Sequence, residues 1–214
     1  MSSLGLFSRL YDPIMEVPEN LGLQRLRREA LRGVQGRVLE LGIGTGRNFP
    51  LYPAAVDYLV GIDPDEAMLD RAEKRVRKVP FPVDLILASV EDLPFEENSF
   101  DAVVTTLVFC TVPDPPRALQ EVRRVLKPGG RFHLLEHVRM KQKPVAWMQE
   151  KATPLWKHVA GGCHLDRDTL GAVREAGFEV GRVEPHLGGL FLAILARPPS
   201  PKWPRLAFGC AGRL

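Results

Sequence analysis

Short apolar runs alternate with amphipathic stretches along most of the chain, and this pattern predicts alternating strands and helices. The predicted strands are 37–41, 58–62, 83–88, 101–107 and 131–137. The predicted helices are 46–52, 65–77, 115–126, 144–159 and 167–176. Strands and helices that alternate in this way form a parallel sheet with helices on both faces, so we predict an α/β fold.

The last two apolar runs, 178–185 and 190–197, are separated by a short segment that contains Gly188 and Gly189. This segment is too short for the crossover that parallel strands need, so the two runs should pair as a hairpin. The last strand of the chain is therefore expected to be antiparallel.

We divide the chain into three parts. Residues 1–35 contain two predicted helices, 4–12 and 19–33, and should form a helical cap on the ligand pocket. Residues 36–197 should form one domain, because a chain of 214 residues has room for one full core. Residues 198–214 are rich in proline, which disfavours helix and sheet, and should form an extended arm.

Composition narrows the class of protein. The formal net charge is +3 and the basic residues are spread out, which argues against nucleic acid as the main partner. Cys110, Cys163 and Cys210 are widely spaced and make neither a disulfide framework nor a zinc-binding pair. The chain shows no signal-peptide pattern and no run of about 18 apolar residues. We therefore expect a soluble, cytoplasmic protein.

A glycine-rich turn, 40–46, follows the first predicted strand, and Asp63 ends the second. Glycines at 42, 44 and 46 allow a sharp turn and leave no Cβ where a ligand must lie against the backbone. An acidic side chain at the end of the neighbouring strand suits ribose hydroxyls. Glycine also collects in ordinary loops and helix caps, so the turn alone leaves a purely structural role as an alternative.

The spacing of these glycines separates two kinds of adenosine cofactor. Dinucleotide-binding turns carry a third glycine three residues after the second, and Arg47 occupies that position here. The spacing therefore disfavours NAD and FAD. A cofactor without phosphates, S-adenosylmethionine (SAM), fits better.

Further segments follow the turn, at 88–95, 98–101 and 126–130. Over residues 37–138 this order resembles the class I SAM-dependent methyltransferases, in the broad group that includes the ubiquinone and menaquinone biosynthesis methyltransferases. The resemblance implies a Rossmann-like fold, with a mostly parallel seven-stranded sheet, an antiparallel last strand and helices on both faces. It also implies methyl transfer from SAM.

A second resemblance covers most of the chain. Segments 136–138, 147–156, 162–165 and 167–178 are similar to the small membrane-associated thiol methyltransferase-like proteins, once described as phospholipid methyltransferases. The acceptor stays open between a thiol sulfur, a phosphatidylethanolamine amine and a quinone-ring carbon. All three are small lipophilic substrates.

The resemblance also assigns cofactor contacts. It implies that Glu40 steadies the loop and the methionine amine, that Asp63 binds the ribose, and that Met68 covers the adenine. The full set is Glu40, Gly42, Gly44, Thr45, Gly46, Asp63, Pro64, Met68, Ser89, Val90, Glu91, Thr106 and Leu107. Ser89 stands where the family commonly has aspartate, but a hydroxyl can still accept the hydrogen bond from the adenine. Met68 and Leu107 are also ordinary core residue types.

Two histidines are candidate catalytic residues because an acceptor that starts protonated must lose its proton. His137 ends a predicted strand at the active edge beside Glu136, which could orient it; a backbone-bonded histidine is the alternative. His164 lies in the turn before helix 167–176, where a cap or plain loop role is the alternative. Cys163, His164 and Asp166 lack the usual spacing of metal ligands, and we expect no metal.

Aromatic residues could line the acceptor pocket, with membership of the core as the alternative. The candidates are Tyr11, Phe109, Trp147 and Trp156. A cluster of arginines could dock on anionic lipid headgroups or an acidic substrate, with a solvated helix face as the alternative. These are Arg25, Arg27, Arg28 and Arg32. Peripheral membrane contact is thus one hypothesis, and the oligomeric state is open.

We predict a methyltransferase that moves the methyl group of SAM to a small lipophilic acceptor and releases S-adenosylhomocysteine. One alternative is a SAM-binding sensor or scaffold without turnover, because Ser89 replaces an aspartate. The other is an NAD-type oxidoreductase, because of the turn and Asp63, although Arg47 and the terminal hairpin argue against it.

Overall fold

The computed structural model describes residues 3–77 and 79–199, and within them seven strands form one sheet. The strands are β1 (Gly36–Leu41), β2 (Val56–Asp63), β3 (Val83–Leu87), β4 (Phe100–Thr106), β5 (Leu126–His137), β6 (Glu179–His186) and β7 (Phe191–Arg197). Their order across the sheet is β3-β2-β1-β4-β5-β7-β6. Strand β7 is antiparallel to both neighbours, whereas the pairs among β1 to β5 are parallel. The predicted Rossmann-like fold with its terminal hairpin is confirmed.

Helices cover both faces of the sheet. They are α1 (Ser3–Pro18), α2 (Gln24–Ala30), α3 (Glu66–Val76), α4 (Pro115–Val125), α5 (Lys143–Val159) and α6 (Thr169–Glu175). Three of them begin at an aspartate whose carboxylate accepts a hydrogen bond from a backbone N–H of the first turn: Asp65, Asp114 and Asp168. Such caps satisfy donors that a helix start otherwise leaves free.

Two predicted helices were wrong in their extent. Segment 46–52 contains only a single 3₁₀ turn, Phe49–Leu51, because Gly46 adopts φ +76° and breaks the helical path. Segment 19–33 is interrupted, because Gly22 adopts φ +121° and a π-helical turn, Glu19–Leu23, precedes α2. The proposed arm, 198–214, lies outside the described residues apart from its first two positions.

The core has a layer on each face of the sheet, which is why the central strands are apolar at consecutive positions. Leu39 and Val60 face the layer that includes α4, whereas Val38 and Leu59 face the opposite layer with Phe49. Within the described residues no helix is long and apolar enough to cross a membrane.

The N-terminal helices pack on the sheet beside β5 and β7. Leu23, Leu26 and Ala30 are buried against Leu135 and Ala193, so one side of this segment is apolar and packs on the sheet. The arginines of the segment do not share one environment. Arg25, Arg28 and Arg32 are exposed, but Arg27 is only 3% exposed, so its assignment to a lipid-facing or solvated surface was wrong.

His133 on β5 links the sheet to these helices, and its burial should make the stability of the fold depend on pH. Its Nδ1 lies 3.0 Å from the carbonyl oxygen of Ala30, and burial lowers its pKa to about 4. The unfolded chain takes up this proton near pH 6.5 but the folded chain does not until about pH 4. Stability from this group is therefore present above pH 6.5 and should fall by about 3 kcal/mol as the pH drops to 4.

Urea unfolding of wild type and His133→Asn between pH 7 and 4.5 would measure this effect. The variant should lose less stability on acidification than wild type, because Asn does not titrate. His158→Asn, at an exposed position of α5, is the matched control and should behave as wild type. Equal acid sensitivity in all three proteins would contradict the assignment.

Candidate active site at the carboxyl edge of the sheet

The carboxyl ends of β1, β2 and β4 meet at one edge of the sheet, as expected for parallel strands. Asp63, the last residue of β2, holds the turn that follows β1. Its carboxylate accepts hydrogen bonds from the backbone N–H of Gly44 at 2.9 Å and of Asp65 at 3.0 Å. Burial raises the pKa of Asp63, and these two N–H groups oppose that rise by stabilising the charged form.

The three glycines of the turn all have positive φ but serve different purposes. A Cβ on Gly42 would lie 2.6 Å from the side chain of Val108, and one on Gly46 would lie 2.4 Å from the ring of Phe49. A Cβ on Gly44 would meet no atom within 4 Å. Gly42 and Gly46 are therefore needed for packing, and Gly44 leaves an open surface beside Asp63 on which a ligand can lie.

Alanine substitutions should separate these roles. Gly44→Ala adds left-handed strain of about 1–2 kcal/mol. Gly46→Ala adds the same strain together with an overpacking cost of about 1–3 kcal/mol against Phe49. Chemical denaturation should therefore show the larger loss of unfolding free energy for Gly46→Ala. Equal losses in the two variants would mean that the Phe49 contact does not constrain the turn.

A buried polar network lies beneath the turn. Glu40, at 2% exposure, accepts hydrogen bonds from Asn48 Nδ2 and from the Tyr52 hydroxyl, both at 2.7 Å. Burial raises the pKa of Glu40 to about 7. Asn48 Nδ2 also lies 3.0 Å from the Thr106 hydroxyl at the end of β4. Glu40 thus holds Asn48 and Tyr52, in the segment that follows the turn.

Arg27 completes this network. Its guanidinium donates to Glu19 Oε1 at 2.9 Å, to Thr106 Oγ1 at 2.6 Å and to Asn48 Oδ1 at 3.2 Å. The sequence reasoning did not identify Arg27, Asn48 or Tyr52 as part of the site. The only sequence signal for Arg27 was its place between Leu26 and Ala30, on the edge of the apolar face of the helix.

Thr45 connects the turn to the N-terminal helix. Its hydroxyl donates to Asp12 Oδ1 at 2.8 Å and accepts from Arg75 Nη1 at 2.6 Å. Asp12 also pairs with Arg47 at 3.0 Å. The Thr45 side chain therefore links the turn to α1 and α3.

The predicted adenine-side residues lie beyond β2 and β3. Met68 and Val90 are buried, whereas Pro64 and Ser89 are exposed. The Ser89 hydroxyl donates to the carboxylate of Glu91. Ser89 and Glu91 are thus bound to each other in the segment that follows β3.

A second group of reactive side chains lies next to Thr106 and Leu107. His137, the last residue of β5, has its Nε2 3.0 Å from Cys163 Sγ. Cys110 Sγ joins them, with the three ligating atoms within 4.8 Å of one another, and it also contacts the carbonyl oxygen of Leu107 at 3.5 Å. We call Cys110, His137 and Cys163 the Cys–His cluster.

Hydrogen bonding shifts the charge states of this cluster. The hydrogen bond from Cys110, followed by that from His137, lowers the pKa of Cys163. Burial alone would lower the pKa of His137, but the hydrogen bond to Cys163 and the negative charges of Cys163 and Glu136 together outweigh burial and raise that pKa. The candidate base is therefore paired with a thiol, which the sequence did not indicate.

Other candidates fall outside the cluster. Glu136 does not orient His137; its carboxylate accepts from Thr105 Oγ1 and from the backbone N–H of Val108 and Phe109. The His164 backbone N–H donates to the Cys110 carbonyl at 2.9 Å, but its ring lies 3.9 Å from Asp166.

The residues proposed to line the acceptor pocket differ in their exposure to solvent. Phe109 is 1% exposed and packs against Phe132 in the core. Trp156 is 44% exposed and its side chain helps to lower the pKa of Cys163, whereas Trp147 is 60% exposed on the same helix. Tyr11 on α1 is half-buried near Arg27 and Arg47, and burial raises its pKa.

Comparisons with known proteins agree with this geometry. Residues 39–134 match the family model described as a methyltransferase domain. The chain is 35% identical to the thiol S-methyltransferase TMT1B of Rattus norvegicus over 81% of its own length and 68% of that protein. It is 36% identical to a phosphatidylethanolamine N-methyltransferase of Cereibacter sphaeroides over 59% of its length and 62% of that protein. A solved SAM-dependent methyltransferase of Thermotoga maritima superposes with a TM-score of 0.66 at 25% identity, covering 92% of this chain and 100% of that one.

Proposed function

Because the chain belongs to the class I SAM-dependent methyltransferases, we propose that its acceptor is the sulfur of a small lipophilic thiol and that its second product is S-adenosylhomocysteine. The observation that carries this proposal is the 35% identity to a thiol S-methyltransferase over 81% of the chain. That match spans 179 aligned residues and so extends well beyond residues 39–134, which match the methyltransferase domain model.

The residues at the turn fit SAM. Gly44 leaves an uncovered backbone surface, and Asp63 beside it presents a carboxylate with room for further hydrogen bonds from ribose hydroxyls. Glu40, Asn48 and Thr106 hold the ends of β1 and β4 beneath that surface. When bound, SAM supplies an electrophilic methyl group on a sulfonium.

The position of the Cys–His cluster supports a thiol acceptor. Cys110 Sγ contacts the carbonyl oxygen of Leu107, and Leu107 follows Thr106 of the network beneath the turn. A thiol acceptor becomes a strong nucleophile only as a thiolate, so it needs a nearby group that favours loss of its proton. His137 and Cys163 are such groups, and holding the acceptor in line can supply about 7–11 kcal/mol of the rate enhancement.

A direct assay distinguishes the acceptors. The full chain would be incubated with methyl-labelled SAM and, in separate reactions, an alkyl thiol, phosphatidylethanolamine vesicles and a demethylmenaquinone analogue. We expect the label in the alkyl thiol. Label only in the phospholipid would favour a phosphatidylethanolamine amine as the acceptor. SAM binding without any methylation would favour a SAM-binding sensor without turnover.

Location in the cytoplasm and peripheral membrane contact stay predictions, which cell fractionation can test.

Asp63 should dominate cofactor affinity. Asp63→Asn keeps the size of the side chain but removes the charge that strengthens the ribose hydrogen bonds. Such bonds contribute about 1.5–3 kcal/mol, so calorimetry should show SAM binding weakened by about tenfold or more. Asp57→Asn, at an exposed position near the start of the same strand, should bind SAM as wild type does. Unchanged affinity in Asp63→Asn would remove Asp63 from the cofactor site.

A further inference from the structure

The Cys–His cluster has the composition of a metal site, although its three residues are far apart in the sequence. Cys110 lies in the loop after β4, His137 ends β5 and Cys163 follows α5. Their ligating atoms lie within 4.8 Å of one another. A tetrahedral zinc ion with two thiolates and one imidazole places these atoms roughly 3.5–3.8 Å apart, so small side-chain rotations would complete the geometry.

The backbone fixes the two cysteines relative to each other. The N–H of His164, next to Cys163, donates to the carbonyl oxygen of Cys110 at 2.9 Å. Arg167 donates to the carbonyl oxygens of Phe109 and Val112, on either side of Cys110. Glu136 binds the N–H of Phe109 in the same loop. The cluster is therefore held before any ligand binds, which lowers the entropy cost of binding one.

We propose that Cys110, His137 and Cys163 bind one zinc ion and leave its fourth position for the sulfur of the acceptor thiol. Zinc bound by two cysteines and one histidine, with an open position, is a catalytic arrangement, whereas structural zinc sites are closed by four protein ligands. His137 and Cys163 are both partly exposed, so the fourth position can be reached from solvent. The sequence alone pointed to no metal, because the ligands come from three separate segments.

The second half of this inference, the role of the open position, rests on the proposed thiol acceptor. A thiol that coordinates zinc is deprotonated outright. Its S–H bond breaks, the electron pair forms the bond to zinc, a bound water leaves, and the proton passes to solvent. The cluster would thus generate a thiolate beside Leu107 without using His137 as the proton acceptor.

Cobalt(II) is a spectroscopic probe for this site. The full chain, as a Cys210→Ser variant that removes the third thiol and with a phosphine reductant, would be titrated with Co²⁺ without oxygen. We expect thiolate-to-cobalt charge-transfer absorption and visible bands of a tetrahedral ion, saturating at one equivalent and abolished by Zn²⁺. An absence of these bands would overturn the proposal. The proposal would also be overturned if the protein bound no cobalt and peroxide treatment formed a Cys110–Cys163 disulfide.

Variants assign the ligands. Cys110→Ser, Cys163→Ser and His137→Ala should each weaken Zn²⁺ binding by more than the roughly 10–100-fold typical of changes to outer residues. His158→Ala, an exposed histidine of α5, is the control and should bind Zn²⁺ normally. Folding of each variant is checked by circular dichroism, and a Zn²⁺-induced rise in Tm should occur only in wild type and the control. A normal rise in the cysteine variants would overturn the assignment.

Adding an alkyl thiol to the cobalt-loaded chain tests the open position. We expect stronger charge-transfer absorption as a third sulfur binds the ion. An unchanged spectrum would overturn the proposal that the acceptor thiol binds at the fourth position. The two proposals fail separately. Cobalt bands in a protein that methylates only an amine or a quinone would refute the thiol acceptor but leave the metal site. Thiol methylation by a protein that binds neither cobalt nor zinc would refute the metal site but leave the thiol acceptor.

Discussion

Arg27→Ala should lower the free energy of unfolding by about 3–5 kcal/mol, the usual effect of removing one partner of a buried ion pair. The guanidinium is 3% exposed and is bound to Glu19, which is 9% exposed. Without Arg27, the Glu19 carboxylate would remain buried with no counter-charge. Thr106 and Asn48 would lose a shared donor at the same time, so SAM affinity should fall as well.

Urea unfolding would measure the loss, with Arg25→Ala as the matched control. Arg25 lies on the same helix, is 74% exposed at its side chain and makes only a 3.7 Å ion pair with Glu29, so it should cost less than about 1 kcal/mol. Adding Glu19→Gln to Arg27→Ala should restore part of the stability, because it removes the stranded charge. If Arg27→Ala and Arg25→Ala destabilise equally, the network does not hold the cap to the sheet.

His137→Ala should reduce thiol methylation by about 10²–10⁴-fold, the range for losing a group that promotes loss of the acceptor proton, either as its base or as a ligand of the ion that binds the thiolate. The expected loss is in kcat, because His137 lies beside Cys163 at the end of β5, and β4 separates β5 from the strand that precedes the glycine turn. Calorimetry should therefore show SAM affinity close to that of wild type. The two measurements together separate an effect on chemistry from an effect on cofactor binding.

His158→Ala is again the control and should retain wild-type turnover. The assignment would be refuted by His137→Ala retaining full turnover of a protonated thiol. A fall in turnover that is matched by an equal fall in SAM affinity would instead place His137 in the cofactor site.

The local pattern was enough to predict the sheet. Each strand of the parallel part is a short apolar run, and the two-glycine segment around Gly188 allowed only a hairpin between β6 and β7. The positions of Gly44 and Asp63 at one edge follow from the same topology, because parallel strands bring their carboxyl ends together. These features depend on residues that are close in the sequence or on a general rule of sheet geometry.

The features that sequence reasoning missed depend on contacts between distant segments. Arg27 is buried because its partners are Glu19, Thr106 and Asn48, and the last two lie on other elements. The Cys–His cluster unites the ends of β4, β5 and α5, so no motif spacing could reveal it. Phe109 was assigned to a pocket by residue type, but the loop after β4 turns it into the core against Phe132.

A crystal structure of the full chain with S-adenosylhomocysteine and an alkyl thiol tests the central claim most directly, through two distances. The account predicts ribose hydroxyls within hydrogen-bond reach of the Asp63 carboxylate, and a thiol sulfur in contact with the Cys–His cluster on the side of Leu107. A nucleoside bound away from Gly44 and Asp63, or a thiol bound remote from His137 and Cys163, would contradict it.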